Sequence, residues 1–265
     1  MSETLSLLPD SKKFKILQVS NAIFCPSGYG VQSQGNLTDW NKYYDVRQIC
    51  NYGVSGRMIN LNGLTLIPAL PGDDNGGRTA ELAFKSGFNP DVFITLYDIW
   101  MGAYTHQRPD GSIYPIHPHW VPVVMVDHEP IPEGTFVQAT QAYHVVTPTL
   151  YGVQEFVKRG FDRVSYIPFG IDTDLFKPSV DVKGDKNWLG KRAVPMDQEK
   201  STEINENSFV ITLNGANKDP YRKGFMRSFI AIQLFLQNNP DARKDTRVYV
   251  HAWMRQARDL PHGAK

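Results

Sequence analysis

Short apolar runs separated by helical stretches recur from Phe14 to His251, and this rhythm restricts the fold more than any other property of the chain. The runs read as strands over 14–20, 45–50, 64–68, 91–96, 121–126, 143–147, 208–213 and 246–251. Helices are expected between them. One begins near Tyr29 or Gly30 with Val31, Leu37 and Trp40 facing inward, and others cover 79–86, 135–142 and 150–159, the last closed by Gly160. A further helix over 222–238 carries Phe225, Phe229, Ile232 and Leu236 on one stripe. Strands alternating with helices indicate a parallel α/β sheet. Because the runs are apolar rather than strictly alternating, both faces of that sheet are expected to be covered.

At 265 residues the chain is long enough for about two domains, and roughly 75% of its unfolded surface would be removed on folding. Residues 179–206 are dominated by Lys, Asp, Asn and Glu with little periodicity. They read as a polar linker or surface excursion between an N-terminal domain over 1–178 and a second α/β unit over 207–265. That second unit shows two strands and one helix, and so reads as incomplete. The formal net charge is +1, which gives no case for nucleic acid as a partner. Residues 1–175 nevertheless carry 12 Lys+Arg against 17 Asp+Glu, whereas 176–265 carry 16 against 10. A basic C-terminal part suits a phosphate-bearing ligand, and equally suits scattered, solvated side chains. Cys25 and Cys50 form no disulfide framework, and there is no basic-then-apolar leader and no apolar run long enough to span a bilayer. The expected location is cytoplasmic.

Polar residues that follow strands are the candidates for chemistry. Pro26-Ser-Gly-Tyr-Gly-Val-Gln32 lies between the first strand and the first helix, where glycines let backbone amides approach an anion at a positive helix end. It also reads as a tight turn alone. Gly28-x-Gly30-x-x-Ser33 matches the dinucleotide fingerprint only in part. Asp98 and Trp100 end another strand and could hold a sugar by hydrogen bonding and stacking, with Trp100 as a lid over the core the alternative. Asp127-His128-Glu129 follows the 121–126 run and emerges where ligands bind in open α/β sheets. The loop Asn214 to Gly224 places Lys218, Arg222 and Lys223 near a helix N-terminus, an unfavourable position for cations unless an anion is bound. Asp172-Thr-Asp174 has the form of a metal-binding DxD but lies in a connecting turn, and His117-Pro-His119 with His128 lacks a fourth ligand at zinc spacing. No metal or cofactor is expected.

The longest ordered string is Tyr166-Ile-Pro-Phe-Gly-Ile-Asp-Thr-Asp-Leu-Phe-Lys-Pro178. It resembles the crossover "hGvDt..F.P" of group 1 (family 4) glycosyltransferases, and "GYGVQ" resembles the glycine-rich loop of that family. The resemblance implies a GT-B fold: a Rossmann-like, acceptor-side N-terminal domain and a Rossmann-like donor domain facing it. It implies transfer of a sugar from a nucleotide-sugar donor to a glycan, lipid-linked or small-molecule acceptor, with retention and without a bound metal. By the same resemblance His128 contacts the donor sugar close to the reaction centre, and Gly28, Tyr29 and Gly30 line the cleft. Asp98, Trp100, Asp127 and Glu129 face the acceptor side. Lys223-Gly224 matches the family's "KG" at the donor diphosphate. Its usual "GR" reads Gly215-Ala216 here, so Lys218 or Arg222 stands in for the first basic contact. Peripheral membrane contact is left open, though no basic amphipathic helix points to it.

The family's E-x7-E motif has no counterpart, since no two glutamates stand eight positions apart. The resemblance places that motif beyond residue 265, so the expectation is an enzyme fragment, inactive by itself. The rival reading is a non-catalytic sugar- or protein-binding module derived from a truncated glycosyltransferase.

Overall fold

The computed structural model describes residues 13–73, 75–191, 193, 203–215 and 221–252. The chain divides into two compact units, Met1–Ile171 and Asp172–Lys265.

The first unit is built on one sheet. Strands β1 (Lys15–Ser20), β2 (Asp45–Cys50) and β4 (Leu64–Pro68) lie on one side, with β3 (Ile59–Leu61) at that edge. Strands β5 (Val92–Leu96), β8 (Trp120–Val123), β9 (Val145–Thr147) and β10 (Val164–Tyr166) lie on the other. A separate hairpin pairs β6 (Thr105–Gln107) with β7 (Ile113–Pro115). The order across the sheet is β10-β9-β8-β5-β1-β2-β4-β3, parallel throughout except for the antiparallel β3–β4 pair. The chain therefore winds outward from β1 in one direction, returns to its other side at β5, and winds outward again. This is the doubly wound, Rossmann-like arrangement, with its switch point between β1 and β5.

Helices α1 (Gly28–Trp40), α2 (Gly77–Lys85), α3 (Glu133–Ala139) and α4 (Leu150–Lys158) connect the parallel strands. Apolar side chains fill both faces, as the unbroken apolar runs predict. Leu17, Val19, Phe93, Trp120, Val145 and Phe156 belong to one cluster, and Ile16, Leu37, Val46, Leu64 and Leu66 to the other. Each fully buried large side chain contributes roughly 2 kcal/mol. The Trp120 indole N–H is satisfied inside by Thr95 Oγ1 at 3.0 Å, so its burial leaves no orphaned donor.

Three expectations need correction. Val31 is 56% exposed rather than inward; the buried positions of α1 are Gly30, Ser33 and Leu37. Gly30 packs against the preceding loop and so fixes which stripe turns inward, and Val31 stands about 100° away from it. The 179–206 stretch, read as a polar linker or surface excursion, carries a helix not expected there, α5 (Val182–Gly190), whose first turn is capped by Asp181 Oδ1 accepting from Gly184 N at 2.9 Å. The 121–126 run pairs as a strand only to Val123, so Asp127 and His128 lie several residues past the sheet.

The second unit contains β11 (Phe209–Asn214), α6 (Phe225–Asn238) and β12 (Thr246–His251), with β11 and β12 parallel. This is a single strand-helix-strand crossover. Helix α6 starts three residues later than the sequence suggests because Gly224, at φ 65°, takes a left-handed conformation and serves as its N-cap.

Candidate functional site

The switch point concentrates polar groups at the carboxyl ends of β1 and β5. A buried glutamine pair shapes the first of these loops. Gln48 Nε2 donates to Gln18 Oε1 at 3.1 Å and to the Asn21 carbonyl at 2.8 Å, which pins the chain where it leaves β1. Cys25 N donates to Ala22 O and Ser27 N to Cys25 O, each at 2.8 Å, coiling the loop tightly. Ser27 then caps α1, its Oγ accepting from Gly30 N at 3.1 Å and from Asn21 Nδ2 at 2.7 Å. By helix geometry the amides of Gly28 and Tyr29 are left over at the positive end of α1.

The two glycines of this loop have different reasons to be glycine. A Cβ on Gly30 would sit 2.3 Å from the Cys25 carbonyl oxygen and 3.0 Å from that of Ala22, so Gly30 is required for packing. The expectation that Gly30 lets backbone approach a ligand is thereby replaced. Gly28 meets nothing within 4 Å and is exposed, so it is the position that leaves ligand-side space.

Across the switch point, Ser20 Oγ donates to Leu96 O at 3.2 Å. The Tyr97 hydroxyl donates to Asn21 Oδ1, and the Tyr97 and Tyr29 rings meet edge to face with centroids 5.1 Å apart. Tyr29 is half-buried; burial, followed by the Asp98 carboxylate beside it, pushes its phenol up to about 12. The Asp127 charge acts on the same phenol in the same direction. Tyr29, Asp98 and Asp127 thus share one electrostatic environment, in which Tyr29 stays a neutral hydrogen-bonding group. Trp100 lies on the short turn Ile99–Met101 and is 69% exposed, so the lid-over-the-core alternative is discarded and an exposed aromatic face is left.

His128 Nδ1 lies 2.6 Å from Asp127 Oδ1, both side chains being exposed. A carboxylate can only accept, so Nδ1 carries the hydrogen and Nε2 is the nitrogen open to a ligand. The backbone here is held from the first turn of α4, with the Tyr151 hydroxyl donating to His128 O at 3.0 Å. Glu129 faces Lys158 at 3.5 Å, and the buried Glu155 shares that ammonium at 2.5 Å. His117 and His119 are bound to backbone instead: His117 Nε2 donates to Pro90 O at 3.1 Å while its Nδ1 accepts from His119 N at 3.1 Å. Both precede β8, whereas His128 follows it. Among the described residues, no group of three or more His, Cys, Asp or Glu could hold a metal ion. Asp172 Oδ1 is committed to a turn, accepting from Asp174 N at 2.9 Å and Leu175 N at 3.1 Å.

Two of the strings singled out in the sequence meet physically. Gln32 Nε2 donates to Gly170 O at 2.9 Å, and Gly170 N donates to Gln32 Oε1 at 3.1 Å. The end of the "GYGVQ" loop therefore holds the glycine of the 166–178 crossover by a reciprocal pair.

In the second unit Lys223 and Gly224 stand immediately before α6, with Arg222 preceding them, and Arg222 and Lys223 are exposed. The stem of Lys223 runs along Gly215, whose added Cβ would lie 3.6 Å from Lys223 Cγ, so the end of β11 and the start of α6 are adjacent. Lys218 lies outside the described residues.

Sequence reasoning passed over Asn21, Asn51 and Tyr97. Each is the first residue after a parallel strand, the position from which side chains reach a ligand edge, and that placement was the available signal. No helix among the described residues is long and apolar enough to cross a membrane. Neither a protein-family model nor a curated protein matches this chain.

Proposed function

We propose that this chain is the acceptor-side and donor-phosphate part of a retaining, nucleotide-sugar-dependent glycosyltransferase of GT-B type. The observation that carries the reading is the Gln32–Gly170 pair, which joins the glycine-rich loop to the crossover string. These are the two strings that resemble group 1 glycosyltransferases, and their contact at the carboxyl edge gives the resemblance a physical counterpart.

In the proposed reaction the bond between the sugar's anomeric carbon and the diphosphate oxygen breaks, and a bond to the acceptor oxygen forms. Negative charge grows on the departing diphosphate, whose oxygen takes the proton that the acceptor hydroxyl gives up. Lys223 and Arg222, at the positive end of α6, meet that charge. His128, with Nδ1 committed to Asp127, presents Nε2 to a hydroxyl of the donor sugar. Gly28, Tyr29, Asp98 and the exposed face of Trp100 receive the acceptor.

Titration of the full-length gene product with UDP-, GDP- and ADP-sugars tests the donor half. The expected result is saturable binding of one of these that weakens by about tenfold or more in Lys223→Ala, a loss of one charge-assisted contact. Binding of none of them, or binding indifferent to Lys223, refutes it.

A further inference from the structure

The loop that carries His128 leaves the sheet at one buried residue and returns to the core at another. Val124 is fully buried, and its N–H donates to Val146 O at 2.8 Å. Ile131 is buried as well, and Arg159 Nη1 donates to its carbonyl at 3.3 Å. Between these anchors, among the described residues, the backbone of 125–130 makes a single hydrogen bond, the one that the His128 carbonyl accepts from the Tyr151 hydroxyl. The Glu129–Lys158 pair adds little, because both side chains are exposed and stand 3.5 Å apart. The Asp127–His128 contact joins neighbours in sequence, so it orients the ring against the carboxylate but does not hold the loop against the fold.

Tyr151 is itself firmly mounted. It stands in the first turn of α4 beside Gly152, whose N–H donates to the capping Thr149 Oγ1 at 3.0 Å. A Cβ on Gly152 would overlap the Thr147 hydroxyl, so this turn sits directly on the end of β9. Phe156, further along α4, is fully buried and fixes the helix in the core. Desolvation first, then the Glu155 and Glu129 carboxylates, raise the Tyr151 phenol above its ordinary 10.0, so it stays a donor. With Nδ1 committed to Asp127, the direction of Nε2 follows from where the His128 backbone is held.

We propose that Tyr151 is a positioning residue for the transfer reaction: its hydroxyl, acting through the His128 carbonyl, sets where the imidazole Nε2 points. The effect on rate rests on the transferase reading given above, whereas the effect on the His128 ring is a property of the chain itself.

The test is Tyr151→Phe, which removes one hydroxyl and keeps the ring. In mildly alkaline buffer the ¹⁵N spectrum of the histidine-labelled chain, with His128 assigned by its loss in His128→Ala, is expected to show the Nδ1–H tautomer. In Tyr151→Phe the two ring nitrogens should move toward the tautomer average of an untethered imidazole. The melting temperature should stay at the native value, since the bond is exposed. In the full-length gene product kcat should fall by about fivefold, the worth of one such hydrogen bond, with the donor KM little changed. In a His128→Ala background the same substitution should have no further effect on kcat. An unchanged tautomer, an unchanged kcat, an equal loss in the His128→Ala background, or a marked drop in melting temperature overturns the proposal. If no donor is turned over, the transferase reading and the role in catalysis fall together, and the ¹⁵N spectrum separately decides whether Tyr151 holds the ring.

Discussion

Replacing Gly30 by alanine adds one methyl group at the tightest point of the β1–α1 loop. The added Cβ falls 2.3 Å from the Cys25 carbonyl oxygen and 3.0 Å from that of Ala22, both backbone atoms that cannot swing aside. Either α1 or the loop must move, and overpacking of this kind costs about 1–3 kcal/mol. Alanine also restricts the unfolded chain, returning roughly 0.4–1 kcal/mol. The net loss is then about 1–2 kcal/mol, or a melting temperature lower by roughly 3–6 °C for a chain of this size. Gly28→Ala is the matched control, since nothing lies within 4 Å of its added Cβ. It should be neutral or gain up to about 1 kcal/mol. Thermal unfolding by circular dichroism compares the three proteins, and hydrogen exchange of β1 and α1 peptides places the effect. If Gly30→Ala melts with the native chain, or if Gly28→Ala is the more damaging change, the packing argument is wrong.

Ser27→Ala removes the α1 cap and the partner of Asn21 Nδ2, so a loss of about 1 kcal/mol is expected in urea unfolding, and no loss would contradict the cap. Burial, the first cause, holds the His117 imidazolium below its ordinary 6.5, so the unfolded chain takes up this proton first as the solution is acidified. The associated stability is intact above about pH 6.5 and is lost as pH falls through the lower folded-state value, so the urea midpoint should drop from about pH 7 to about pH 5.5. The drop should be smaller in His117→Gln, and an equal drop in both proteins would refute the assignment. Asp98→Asn removes the second cause of the Tyr29 shift while leaving burial, so the Tyr29 midpoint should fall from about 12 yet stay above its ordinary 10.0. A midpoint that does not move, read from ring-carbon resonances of labelled tyrosine, would separate Asp98 from Tyr29.

The parallel core was legible because β1, β2, β4 and β5 are buried on both faces and so carry apolar runs with clear ends. The edge strand β3 was harder. Its three residues bury little, and only Asn62-Gly63, both at positive φ in the β3–β4 turn, announced the hairpin. Helix α5 was hidden by composition, since none of its residues is buried and its start rests on the Asp181 cap. At the site, residue type pointed to Asp98, Asp127 and His128, but not to the two meanings of glycine at 28 and 30. That distinction comes from the Cys25 carbonyl, whose loop is pinned by Gln48 on the neighbouring strand β2, 30 residues on from its partner Gln18. The family resemblance rests on short strings alone, and no family model matches the chain as a whole.

The most direct test of the account is to incubate the full-length gene product with a panel of nucleotide-sugars and candidate glycan acceptors. Release of nucleoside diphosphate and the anomeric configuration of the first product are followed by NMR. The account predicts release from one donor, a product with the donor's own configuration, and a fall in rate of about a hundredfold in His128→Ala. An inverted product, a rate indifferent to His128, or no release from any donor would contradict it.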